Sequence, residues 1–223
     1  GINMHNNGLV IFDRFSLENA NMVVFAKSGA GKSFTVKLEA IRSMMTGADV
    51  LIIDPENEYQ KLSDAVGGSY IRLSLSSDVR VNPFDLPKVV DTEDADDALR
   101  ANLVTLHGLL RLMLGGATAQ NVNVTLSPEE EADLDQALID TYARLGITSD
   151  PLTHHSIPPT MADLYDTLLH MGGTGPALAQ RLRKYTTGTF AGIFSQQSNI
   201  DINNSMVVFN IRDLEDELRP VAM

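Results

Sequence analysis

The sequence predicts an α/β fold, a mainly parallel sheet flanked by helices and interrupted by an all-helical insertion. Three observations predict it. Two continuously apolar runs, Met22-Val23-Val24-Phe25 and Val50-Leu51-Ile52-Ile53, are separated by a helical pattern, which is the text of a βαβ unit with strands buried on both faces. Residues 91–194 then read as helix almost throughout. Met206-Val207-Val208-Phe209 returns to strand text, so the helices interrupt an α/β unit. The boundaries that follow are 1–88 for the first part of the α/β core, 89–198 for the helical insertion and 199–223 for the return to the core.

The elements follow in order. Leu9-Val10-Ile11-Phe12 and residues 22–25 predict strands. After a glycine-rich stretch, Phe34, Leu38, Ile41 and Met45 recur at helical spacing until Gly47. Residues 50–53 and Tyr70-Ile71-Arg72-Leu73 predict further strands, and Asn82-Pro83-Phe84 predicts a turn. Ala95, Leu99, Leu103, Leu106, Leu110 and Met113 form the first insertion stripe, ending at Gly115-Gly116. Ser127-Pro128-Glu129-Glu130 opens the second helix as N-cap, first-turn Pro and reciprocal Glu, and Gly146 stops it. Thr160 and Asp163 repeat that logic for a third helix, carried by Leu164, Leu168 and Met171 to Gly172-Gly173. Pro176 opens a fourth through Leu178, Leu182 and Tyr185. Residues 150–159 form the one long Pro-rich loop.

Composition narrows the function. At about 150 residues per domain, 223 residues make one large domain or one domain with an insertion. The net charge of −12 argues against a general nucleic-acid coat protein and leaves a local basic groove open. The absence of Cys removes disulfides, thiolate zinc sites and cysteine nucleophiles. No apolar run approaches the roughly 20 residues of a membrane-spanning helix. The opening Gly1-Ile2-Asn3-Met4-His5 lacks a secretory signal and reads as a cut inside a longer protein.

Chemistry concentrates in Ala26-Lys27-Ser28-Gly29-Ala30-Gly31-Lys32-Ser33, which fits the phosphate-loop pattern G-x-x-x-x-G-K-[ST] with Ala at the first Gly position. Such a loop leaves a strand, turns successive backbone N–H groups on one point and enters a helix whose positive end adds to the field. Gly29 and Gly31 allow close backbone approach. Lys32 reaches the β and γ oxygens, and the Ser33 hydroxyl holds Mg²⁺. The alternative is a glycine turn with a solvated lysine.

Asp54-Pro55-Glu56-Asn57-Glu58 directly follows the strand at 50–53 and admits two readings. Asp54 assists Mg²⁺ and water, or Asp54, Glu56 and Glu58 only border the site, with Glu56 or Glu58 toward solvent or a neighbouring subunit. The border reading is favoured, because the segment comes only one helix after the loop and lacks adjacent Asp and Glu. His154-His155 reads as a solvated pair. Arg181, Arg183 and Lys184 form the one compact basic cluster, by default a solvated helix face. Asp91 to Asp97 and Glu129 to Asp135 place acids in first helical turns, where the helix dipole favours them.

Together, Phe12-Asp13-Arg14-Phe15, Glu18-Asn19-Ala20-Asn21, the loop at 26–33, Ile53-Asp54-Pro55-Glu56-Asn57-Glu58-Tyr59, Asn82-Pro83-Phe84 and the closing Val207-Val208-Phe209-Asn210-Ile211 resemble the TraC-like, VirB-type ATPases of type IV secretion and conjugation. These are P-loop motors of the HerA–FtsK group. The resemblance implies an ATP and Mg²⁺ site at Ser28, Gly29, Ala30, Gly31, Lys32, Ser33 and Phe34, with Asp54, Glu56 and Glu58 beside it, and Lys32 and Glu56 as catalytic candidates. It implies a homo-oligomeric, usually hexameric, ring at the cytoplasmic face of the membrane with other secretion-channel components as partners. Arg181 and Arg183 are candidates for a cation supplied to a neighbour's nucleotide. DNA as substrate finds no support in the acidic charge. Family members continue into a helix and a strand ending in adjacent Asp and Glu, whereas this sequence stops at Met223. The expectation is therefore ATP binding with slow hydrolysis. An assembly module that binds ATP without useful turnover is the second reading. A small-molecule kinase is a third, and no acceptor pocket with a base is evident for it.

Overall fold

The computed structural model describes residues 5–8, 13–86, 92–115 and 125–222. After a single 3₁₀ turn at Arg14–Ser16 come α1 (Lys32–Met45), β1 (Val50–Asp54), α2 (Gln60–Val66) and β2 (Ser69–Arg72). The helical stretch holds α3 (Thr92–Gly115), α4 (Pro128–Arg144), a 3₁₀ turn (Pro151–His155), α5 (Met161–His170), α6 (Gly175–Thr186) and α7 (Ala191–Phe194). β3 (Met206–Asn210) and α8 (Arg219–Ala222) close the chain. The three strands form one parallel sheet in the order β1-β3-β2, with Ile52 and Tyr70 both in register with Val208.

Alternation along the strands divides the core in two. Val50, Ile52, Met206, Val208 and Tyr70 face α1 and α2, packing with Ala40, Met44 and Leu62. Ile71 and Val207 face the other way, into a larger core with Phe84, Leu110, Leu134, Leu164 and Leu182 of the helical layer. The fold is therefore α/β, with helices on both faces of a parallel sheet. The helical layer covers β2 and β3 but stops short of β1. Leu51 and Ile53, in register with the covered Val207 and Phe209, stay 72% and 48% exposed.

The helix ends follow their chemistry. Ser127 Oγ accepts from Glu130 N–H at 3.2 Å while Glu130 Oε2 accepts from Ser127 N–H at 2.8 Å, a reciprocal cap. Asp163 accepts from both the N–H and the hydroxyl of Thr160. The Asn82-Pro83-Phe84 turn is bonded to the helical stretch. Asn82 donates to Pro159 O at 2.8 Å and accepts from Phe84 N–H, and the buried Tyr142 hydroxyl donates to Phe84 O at 2.8 Å.

One predicted element is corrected. Residues 22–25 form no strand: among the described residues their backbone joins no ladder, and Met22, Val23 and Phe25 are 51%, 73% and 91% exposed. Strand propensity reports how a side chain fits a pleated, half-buried surface, and among the described residues no strand lies beside this run to supply one. The strand predicted at 9–12 lies outside the described residues, as do the side chains of the acidic run at 91–97.

Candidate functional site: the phosphate loop and its border

Glycine geometry builds the loop. Gly29 and Gly31 sit at φ 77° and 85°, in the left-handed region, and a Cβ at either would be strained although nothing stands within 4 Å of it. Ala30 N–H donates to Lys27 O at 3.1 Å, closing the turn. Gly31 is the N-cap of α1 and has no side chain to cap with, and the first turn holds no acid. The helical ladder begins only where Thr35 N–H meets Gly31 O at 2.9 Å. The N–H groups of Lys32, Ser33 and Phe34 thus stand at the positive end of a 14-residue helix without a side-chain acceptor. Lys32 is exposed and Ser33 half-buried beside them. This open cradle of donors, with a cation and a hydroxyl at its rim, fits a polyphosphate carrying Mg²⁺.

Topology puts the border segment at the same end. At 1.5 Å per residue α1 is about 21 Å long and returns through a short turn into β1, so its N-terminus lies toward the C-terminal end of that strand. On the same side, Lys37 Nζ from the second turn of α1 stands 5.1 Å from the Tyr59 ring centroid. Asp54 is 1% exposed, and its carboxylate turns into its own loop, accepting from Glu56 N–H at 3.2 Å and Tyr59 N–H at 2.9 Å. Glu56 and Glu58 are exposed at the rim. Burial, aided by the neighbouring Glu58 and Asp54 charges, raises the Tyr59 hydroxyl above its ordinary pKa.

Sequence reasoning missed a relay beneath this rim. Asn210 Nδ2 donates to the Tyr70 hydroxyl at 2.6 Å, which donates to Asn57 Oδ1 at 2.7 Å. Asn57 holds φ 59°, a left-handed conformation that Asn tolerates better than most residues. Pro-Glu-Asn after a strand was the available signal for that turn. Burial raises the Tyr70 hydroxyl pKa, opposed by the Asn210 hydrogen bond.

The basic cluster divides. Arg181 is committed within the chain: it donates to Glu130 Oε1 and to Leu114 O, each at 2.8 Å, tying α6 to the start of α4 and the end of α3. Lys184 lies 5.0 and 5.9 Å from the Tyr185 and Phe190 ring centroids. Arg183 is exposed. Among the described residues no group of three or more metal-ligating side chains occurs, and no helix is long and apolar enough to cross a membrane.

Parallel sheet, glycine-shaped loop and uncapped helix start define the class, a P-loop α/β domain. Residues 10–109 match the TraG P-loop domain family. The chain is 26% identical over 214 residues to Protein TraC of Escherichia coli K12, covering 93% of this chain and 22% of TraC. It superposes on VirB4 of Thermoanaerobacter pseudethanolicus with a TM-score of 0.73 at 26% identity, covering 95% of this chain and 56% of that one. In sequence and in fold the chain is TraC- and VirB4-like, and it spans only part of each relative's length.

Proposed function

We propose that this chain is the ATP-binding part of a motor domain of a type IV secretion or conjugative-transfer ATPase, coupling nucleotide turnover to substrate transfer or channel assembly. The observation that carries the reading is the cradle at residues 28–34, set at the end of the sheet. Its amides and Lys32 neutralise phosphate charge, and Ser33 is the residue to hold Mg²⁺. That ion, when bound, offsets the charge on the β and γ oxygens. Likeness to TraC and VirB4 supports the secretion role. It also supports a homo-oligomeric, hexameric ring at the cytoplasmic face of the membrane, partnered by other channel components. The division at 1–88, 89–198 and 199–223 belongs to the same proposal, and the Asn82 turn supports it as the joint. Arg183, exposed where Arg181 is committed, is the better candidate for a cation offered to a neighbouring nucleotide.

A specific observation favours binding without useful turnover by the chain itself. Both Asp54 oxygens serve their own loop, which leaves the exposed Glu56 and Glu58 at the rim as the carboxylates to orient water, a contribution of roughly 10²–10⁴-fold when one is well placed. Mg·ATP at 100 times its dissociation constant stabilises a fold by about 2.7 kcal/mol. At about 2–4 °C per kcal/mol for this size, the melting temperature should rise by roughly 5–11 °C. A melt unchanged by saturating Mg·ATP removes the reading.

A further inference from the structure

We propose that Tyr70 is a positioning residue of the nucleotide site: through Asn57 it holds the 55–58 loop so that the site prefers Mg·ATP to metal-free ATP. The inference rests on the reading of residues 28–34 as an ATP site. The loop is gripped at three points. Asp54 takes the Glu56 and Tyr59 amides on either side, and Tyr70 takes the Asn57 side chain between them. The Tyr70 hydroxyl is fixed in turn by Asn210, which is 1% exposed at the end of the central strand.

The left-handed turn at Asn57 keeps Glu56 and Glu58 exposed on the rim that Lys37 and Tyr59 join to the phosphate-loop helix. Two carboxylates held there repel a bare triphosphate. They favour one whose charge is reduced by Mg²⁺, whose bound waters can donate to them. Preference for the metal complex therefore depends on how firmly the loop is held. Tyr70 does not touch nucleotide. It acts through Asn57.

The test is calorimetric titration of the full chain with ATP, once with Mg²⁺ and once with EDTA. Tyr70→Phe deletes the hydroxyl and keeps the ring, and Asn57→Gly deletes the acceptor while permitting the left-handed turn. Each should weaken Mg·ATP binding by about 2- to 10-fold, the scale of one hydrogen bond, while binding in EDTA stays the same or tightens. The double variant should lose no more than either single one. If both variants keep the wild-type ratio of the two affinities, or lose affinity equally with and without metal, Tyr70 is structural only and the proposal fails. Wild-type protein that binds neither form overturns the phosphate-loop reading as well, and so is distinguishable from failure of the Tyr70 assignment alone.

Discussion

Tyr142→Phe probes how α4 is fastened to the turn at residues 82–84 and to α3. The Tyr142 ring is 1% exposed and lies 5.7 Å from the Phe84 ring, a contact that phenylalanine preserves. Its hydroxyl donates to Phe84 O and accepts from Asn102 Nδ2, both at 2.8 Å. Deleting the hydroxyl removes these bonds and strands the carbonyl of the fully buried Phe84. A net hydrogen bond is worth about 0.5–1.5 kcal/mol and an abandoned buried acceptor costs about 1–3 kcal/mol. Asn102 is half-buried and can turn to water, so the expected loss is about 2–3 kcal/mol. At about 2–4 °C per kcal/mol the melting temperature falls by roughly 4–12 °C. Burial also pushes the Tyr142 hydroxyl pKa well up from its ordinary value. Because the folded value is the higher one, the stabilisation is complete below about pH 10, the unfolded phenol value, and is lost as pH rises toward the folded value. Phenylalanine has no such loss, so the gap between the proteins should narrow above about pH 10. Urea unfolding at neutral and alkaline pH measures both effects. A neutral-pH difference under about 0.5 kcal/mol, or a gap that widens with pH, would refute the reasoning.

Arg181→Ala should destabilise the chain by roughly 1–2 kcal/mol, after discounting its charge-assisted bonds for partial exposure. It should leave Mg·ATP affinity unchanged; urea unfolding and calorimetric titration read the two effects separately. Asp133 accepts from the N–H and hydroxyl of Thr174, which lowers its pKa. Its contribution is present above about pH 3.9, the unfolded value, and is lost as pH falls through the lower folded value. Asp133→Asn should therefore melt with a shallower acid limb, and identical acid limbs would dismiss that role.

How much could be read in advance depended on how local the determinants are. The helices of the insertion announce themselves because cap and stop signals act within a few residues: Ser127 with Glu130, Thr160 with Asp163, and glycine at 146, whose φ is 76°. The glycine turn that opens α1 is legible for the same reason, since Gly29 and Gly31 lie directly before the helix. Residues 22–25 were misread because a strand also needs a neighbouring edge, which propensity cannot reveal. Asp54 ends β1, but the direction of its carboxylate depends on the path of the next five residues. Arg181 looked like a surface cation. Its acceptors, Glu130 and Leu114, are 51 and 67 residues distant in the chain. The Tyr70 relay joins residues 13 and 140 positions apart, so no local pattern foretold it.

Calorimetric titration of wild type and Lys32→Ala with Mg·ATP tests the central claim, that residues 28–34 form a triphosphate site. A charge-assisted contact is worth about 1.5–3 kcal/mol, and each tenfold in affinity is about 1.4 kcal/mol. The account predicts saturable binding by wild type and a loss of roughly 10- to 100-fold in the variant, with the apo melting temperatures alike because Lys32 is exposed. Equal affinity of the two proteins for Mg·ATP would contradict it.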